Sequence, residues 1–284
     1  MTLVKTAWVT DSTAFLDDEL INHPDLYTVP LTIFLDGEEY SDGIDLTPGQ
    51  LFENLKHLKT PPKTSQPSVG SFQGLYEKLS KDYDQIIAVL LSGKLSGTVS
   101  SSEQAAKLVE IPVVTIDSRI LTYPMTALLK KGMELIQNGN SLDVVINQLE
   151  TIRETNETYV LIGSLEQLHR SGRMSGVQFF LGSMLNVKPI IIIENGALHV
   201  KEKARSEKKA KEKIMEYLRS AYDSHHFKEV YILYGLHKEQ ATSWRDELKS
   251  KFPQLNFICC PLGAVIGVHA GENTLGISWH NGLK

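Results

Sequence analysis

Cysteine is nearly absent from this chain: Cys259 and Cys260 are the only two in 284 residues, and they are neighbours. Adjacent cysteines can close only a strained disulfide, and two thiols inside an apolar run suit a reducing compartment, so a cytoplasmic location is expected. An excess of positive charge is also missing. The formal net charge is −5, with acidic and basic residues interspersed, which lacks the basic footprint of a nucleic-acid binder. No apolar run reaches the roughly 18 residues of a membrane span, so at most transient membrane contact is expected. Residues 1–11 do not read as a secretory leader, because Lys5 interrupts the short apolar run over residues 3–9. No set of His, Cys or carboxylate residues has metal-ligand spacing, and the adjacent His225 and His226 sit in a polar stretch. Neither a metal nor a cofactor is expected.

What is present is an ordinary globular composition, 42% hydrophobic and 22% charged, in a chain long enough for two cores. Apolar runs near residues 3–9, 86–91, 111–116 and 159–162 alternate with helical patterns, which predicts βαβ units around a mainly parallel sheet. These runs place a first domain over residues 1–162. Within it residues 27–35 read as one strand ending at the Asp36-Gly37 turn. Thr47-Pro48 opens a helix through Leu58, and Ser68 caps another over residues 69–80. Further helices are predicted over residues 100–109, 122–137 and 142–154. A second domain follows over residues 163–284. It carries a buried strand at 190–193, a hairpin at Asn195-Gly196, an amphipathic helix over 205–222, a strand–helix–strand unit over 230–260 and a strand ending at His280. The expected fold is α/β in two domains, the first with a mainly parallel sheet and the second with a mixed sheet and helices.

The residues capable of chemistry gather in loops. Leu90-Leu91-Ser92-Gly93-Lys94-Leu95-Ser96-Gly97-Thr98 joins a strand to a helix, the geometry that aims backbone N–H groups and a helix N-terminus at an anion. It is not a Walker A loop, since Leu95 stands where Ser or Thr is required, and it lacks the order of a nucleophile elbow. A plain βα turn with a Ser cap also satisfies the pattern. Asp11-Ser12-Thr13 follows the first strand, where it can cap a following helix or face a ligand. Residues 61–68 combine three prolines with the hydroxyls of Thr64, Ser65 and Ser68, giving a stiff segment rich in neutral donors. His269 lies among Gly263, Gly267, Gly271 and Gly276. A Ser-His-Asp hydrolase can be assembled on paper from Ser96, His269 and Asp11 or Asp117, but such triads are defined by geometry. Few ionisable groups accompany these loops, which suits holding a carboxylate or phosphate better than breaking bonds.

Taken in order, Asp11-Ser12-Thr13, Thr64-Ser65-Gln66-Pro67-Ser68, residues 91–98, Asp117-Ser118, Ser171-Gly172-Arg173, Asn186-Val187-Lys188-Pro189-Ile190 and Ile266-Gly267-x-His269-x-Gly271 make the chain resemble the DegV family over residues 3–280. These are bacterial fatty-acid-binding proteins, some of which present the bound acid to a fatty acid kinase. The resemblance implies a long-chain fatty acid as ligand, an ATP-dependent kinase as partner, and no chemistry of the protein's own. It implies that Thr64 and Ser96 of the first domain bind the carboxylate, with His269 of the second nearby. Ser65, Gly97, Arg173 and Arg205 are further candidates, and residues 177–193 are a candidate source of acyl-chain contacts. The alternative carried beside this reading is a serine esterase or acyltransferase using Ser96 and His269. The chain departs from the family pattern at Ala264, at Glu207 and at Gly271-Glu272-Asn273. There, Asn273 is expected to keep the loop shape by tolerating a left-handed dihedral. Glu272 would favour protonated His269 if it pointed inward.

Overall fold

The computed structural model describes residues 4–173 and 187–283. The chain divides into two compact units, Met1–Glu150 with Gly263–Val265, and Thr151–Leu262 with Ile266–Lys284. The first contains β1 (Thr6–Asp11), β2 (Leu26–Val29), β3 (Thr32–Leu35), β4 (Glu38–Ser41), α1 (Pro48–Leu55), β5 (Lys63–Ser65), α2 (Val69–Leu79), β6 (Gln85–Leu90), α3 (Thr98–Ala106), β7 (Val113–Asp117) and α4 (Thr122–Gln137); α5 (Leu142–Arg153) ends it. A parallel sheet of order β2-β1-β6-β7 forms its centre, and β4-β3-β5 make a small antiparallel sheet. Every residue of β1 is buried, as a parallel strand covered on both faces requires. Ala7 and Val9 join Phe72, Tyr76, Ile86 and Leu90 in one cluster. Trp8 faces the other way, where a Cβ built on Gly132 of α4 would lie 2.6 Å from its ring.

Local chemistry explains the ends of these elements. Thr47 and Gln50 form a reciprocal capping box around Pro48 at the start of α1, and Ser68 accepts the Ser71 N–H at 3.0 Å to open α2. The single strand expected over residues 27–35 is broken. Pro30 has no N–H to give a ladder, and the chain leaves the parallel sheet after Val29 and enters the antiparallel one at Thr32. Asp36 and Gly37 then turn the β3–β4 hairpin with φ of 49° and 95°. The stiff segment 61–68 is not all loop, since β5 pairs with β3.

The second unit holds β8 (Asn156–Leu161), α6 (Leu165–Arg170), β9 (Lys188–Glu194), β10 (Ala197–Ala204), α7 (Glu207–His225), β11 (Glu229–Tyr234), α8 (Lys238–Lys251), β12 (Asn256–Pro261) and β13 (Leu275–His280); the short α9 (Ala264–Ala270) begins in the segment assigned to the first unit. Its mixed six-stranded sheet has the order β10-β9-β8-β13-β11-β12. Asn195 and Gly196, at φ 49° and 81°, close the expected β9–β10 hairpin. The strand expected to close the first domain near residue 162 belongs here instead, antiparallel to β13 and β9. Its Tyr159 and Leu161 pack with Ile190, Ile232, Ile277 and Trp279, so burial draws it into this sheet. Tyr217, Tyr159, Trp279 and Phe227 stack in series with centroids 5.0–5.8 Å apart. Neither Cys259 nor Cys260 is joined in a disulfide. The apolar stretch 177–185 lies outside the described residues, while β9 continues the region beyond it. Among the described residues no helix is long and apolar enough to cross a membrane.

Candidate functional site

In the first unit the hydroxyl-bearing segments are held at strand ends. Antiparallel pairing sets Thr64 opposite Ile33 and Ser65 opposite Thr32, so β3 dictates where these two residues stand. Thr64 and Ser65 are each half-buried. One residue beyond, Gln66 meets the other loop: a Cβ built on Gly97 would lie 2.9 Å from its Nε2. The Gln66 amide therefore rests directly on Gly97, which brings the Thr64 segment against the Ser96 segment, and a side chain at 97 would push that amide aside. Across the turn, the N–H groups of Leu95 and Ser96 donate to the Ser92 carbonyl at 3.0 and 3.1 Å, and the Lys94 N–H to the Ser92 hydroxyl at 3.2 Å.

The Ser cap of the plain βα-turn reading is absent. The N-cap position of α3 falls on Gly97, and no side chain caps it. The Ser96 hydroxyl instead bonds that of Thr98 at 2.9 Å. Two hydroxyls sharing one hydrogen bond keep one proton to donate elsewhere, and polarisation through the pair strengthens that donor. Beside it the first turn of α3 presents N–H groups ahead of the first helical bond, from Ser101 to the Gly97 carbonyl. The arrangement offers neutral donors to an anion.

Three carboxylates support these loops. Asp11 is fully buried and caps no helix; it accepts the Leu91 N–H at 2.7 Å and the Thr13 N–H and hydroxyl at 2.9 and 2.5 Å. Burial raises its pKa above the usual carboxylate range despite those bonds. Asp42, 3% exposed, accepts the Ser12 hydroxyl at 2.8 Å and the Val265 N–H at 3.4 Å. Burial, with Asp11 nearby, raises its pKa to about 6. Asp117 accepts the N–H groups of Gly93 and Arg119 at 3.1 and 2.9 Å. Sequence reasoning did not single out Asp42 or the clamp role of Gln66; Gln66 stands within a motif it quoted, while Asp42 in a turn before Gly43 carried no distinguishing pattern.

In the second unit His269 stands in the last turn of α9 and is half-buried. Burial lowers its pKa to about 4, with the Arg173 guanidinium adding to the shift. The charge that bears on His269 is therefore that of Arg173, not the inward Glu272 considered above. Arg173 is itself half-buried, which lowers its pKa, and it donates to the Ser171 carbonyl at 2.8 Å. The left-handed residue of the following loop is Gly271, at φ 84°, rather than Asn273. A Cβ there would meet Ser164 and Gln167 at 2.8–2.9 Å, so α6 and this loop fit only through glycine. Arg205 lies in the exposed turn between β10 and α7. Among the described residues no group of three or more His, Cys, Asp or Glu could hold a metal ion.

Together these features define an α/β protein of two units with hydroxyl and amide donors gathered at strand ends. A profile of the DegV family, described as uncharacterised proteins, matches residues 5–281. The chain belongs to the DegV family. It is similar to Bacillus subtilis DegV, whose crystal structure is that of a fatty acid binding protein, with 36% identity, coverage of 98% and 99% of the two chains, and a TM-score of 0.90. It is similar as well to a fatty-acid-binding DegV family protein from Thermus thermophilus, at 32% identity, coverage of 96% and 98%, and a TM-score of 0.90. A DegV domain-containing protein from Listeria innocua is 33% identical over 277 residues, covering 97% of this chain and 98% of the relative.

Proposed function

We propose that this protein binds one long-chain fatty acid in the cytoplasm and holds its carboxylate through Thr64, Ser96 and His269, with Ser65, Gly97, Arg173 and Arg205 around them. The observation that carries the reading is end-to-end likeness to two solved chains described as fatty-acid binding, at 36% and 32% identity. The donor chemistry agrees with it. About 15 buried methylenes at ~0.8 kcal/mol each contribute roughly 12 kcal/mol, against about 4–15 kcal/mol for association and ordering. The tail dominates affinity, and the head group must avoid the several kcal/mol lost by an unpaired buried carboxylate. Neutral donors meet that need and leave the carboxylate oxygens free of a tight ion pair. A carboxylate held in that way suits transfer of a phosphoryl group by an ATP-dependent kinase partner, the role we assign to the complex; the protein itself acts as carrier.

The competing esterase reading requires His269 to accept a proton from Ser96. Burial and Arg173 both oppose an imidazolium there, the reverse of what a carboxylate-oriented catalytic base needs. The test is calorimetry with a fatty acid and the fatty alcohol of equal length, beside an ester-hydrolysis assay. Thr64→Ala or Ser96→Ala is expected to weaken acid binding by about 1.5–3 kcal/mol, roughly tenfold to 150-fold, and alcohol binding far less. Equal losses for both ligands would sink the head-group assignment. Wild-type esterase activity that vanishes in both Ser96→Ala and His269→Ala would replace the carrier with an enzyme.

A further inference from the structure

Asp11 and Ser12 stand at the end of β1, and the binding role assigned to the hydroxyl loops makes no use of them. Their bonds run in two directions. On one side Asp11 accepts the Leu91 N–H at 2.7 Å, the last backbone donor before the Ser92–Thr98 turn. On the other side Ser12 uses its hydroxyl twice: it accepts the Leu31 N–H at 3.0 Å and donates to Asp42 at 2.8 Å. Asp42 returns to the same point, because its N–H donates to the Leu31 carbonyl at 2.9 Å. Leu31 immediately precedes β3, and β3 carries β5 in register, with Ile33 opposite Thr64. One dipeptide thus anchors the base of the Ser96 turn and the base of the sheet that holds Thr64. Gln66 against Gly97 closes the circuit at the far end.

We propose that Asp11 and Ser12 are the positioning residues that set the spacing between the Ser96 and Thr64 hydroxyls, Asp11 acting through Leu91 and Ser12 through Leu31 and Asp42. The proposal rests on the carboxylate-binding reading of those hydroxyls and adds what holds them apart. A carboxylate has fixed geometry, so two donors on separate elements favour it over an alcohol only when their separation is maintained. Asp11 fits this role because both of its oxygens accept. An amide has one acceptor oxygen, so Asp11→Asn can satisfy Leu91 or Thr13 but not both.

The test has two arms. In hydrogen exchange of the ligand-free protein, Asp11→Asn is expected to speed exchange in the peptide carrying residues 91–97. Ser12→Ala is expected to speed it in residues 31–35 and 63–65, each by about tenfold, the scale of one lost buried bond. Ser12→Thr, which keeps the hydroxyl, restores wild-type exchange. In ligand binding, Ser12→Ala lowers the preference for fatty acid over alcohol by about fivefold to twentyfold, and that effect disappears in a Thr64→Ala background. Asp11→Asn behaves likewise against Ser96→Ala. Unchanged exchange at those segments, or effects on preference that simply add, would overturn the proposal. A wild-type protein with no preference for acid over alcohol would instead defeat the carboxylate reading, with the exchange arm still deciding whether the tethers exist.

Discussion

At the scale of the residue, two groups titrate in opposite senses and give the protein a readable acid limb. His269 has a folded pKa lowered to about 4, so between there and about 6.5 the unfolded chain takes up a proton that the folded chain refuses. Its contribution is complete above pH 6.5 and is lost as pH falls through that window. Asp42 works the other way: its folded pKa is raised to about 6, the folded protein holds the extra proton, and stability is lost as pH rises from about 4 to 6. Asp42→Asn removes the buried charge and can still accept the Val265 N–H while facing Ser12. The variant is expected to gain about 1–3 kcal/mol at pH 7 and to show a steeper loss of stability on acidification, because Asp42 no longer offsets His269. Urea unfolding at pH 4.5, 6 and 7.5 checks both; a loss of stability at pH 7.5 would mean that the ionised carboxylate earns its place.

At the scale of the element, Gly132 shows how packing overrides propensity. Alanine in the interior of a helix is normally favoured over glycine by about 1 kcal/mol. In α4 a Cβ at this position would lie 2.6 Å from the Trp8 ring and 3.0 Å from Leu149, and Trp8 is only 3% exposed. Gly132→Ala is therefore expected to destabilise the first unit by about 1–3 kcal/mol; denaturant midpoints that rise instead would show that α4 can shift outward freely. This contact was not legible in the sequence, where residues 122–137 read as a helix from their periodicity alone. The same limit explains the rest. Parallel strands and hairpins declare themselves through apolar runs and through Asn195-Gly196, because period and turn chemistry are local. Which sheet β8 joins, and that Ser96 turns to Thr98 instead of capping α3, depend on partners distant in sequence or on a choice between equal local bonds. Among the candidate site residues, the loops carrying Thr64 and Ser96 were legible as donor-rich segments; the Gln66–Gly97 contact that joins them was not.

At the scale of the whole molecule, two units each contribute a different environment: hydroxyls and free helix N–H groups in the first, a neutral histidine beside a half-buried arginine in the second. Under the carrier reading proposed above, both environments serve to hold a negative group. A ligand bound chiefly through its tail would also leave purification with the protein, since the chain gains about 0.8 kcal/mol for each buried methylene. Native mass spectrometry of the protein, purified from bacterial cells without added lipid, tests the central claim most directly. The account predicts a species heavier than the chain by one long-chain fatty acid, released intact on denaturation and depleted in the Thr64→Ala/Ser96→Ala double variant. A folded protein that carries no acid, takes none up when a long-chain acid is added, and binds a small phosphate compound instead would contradict it.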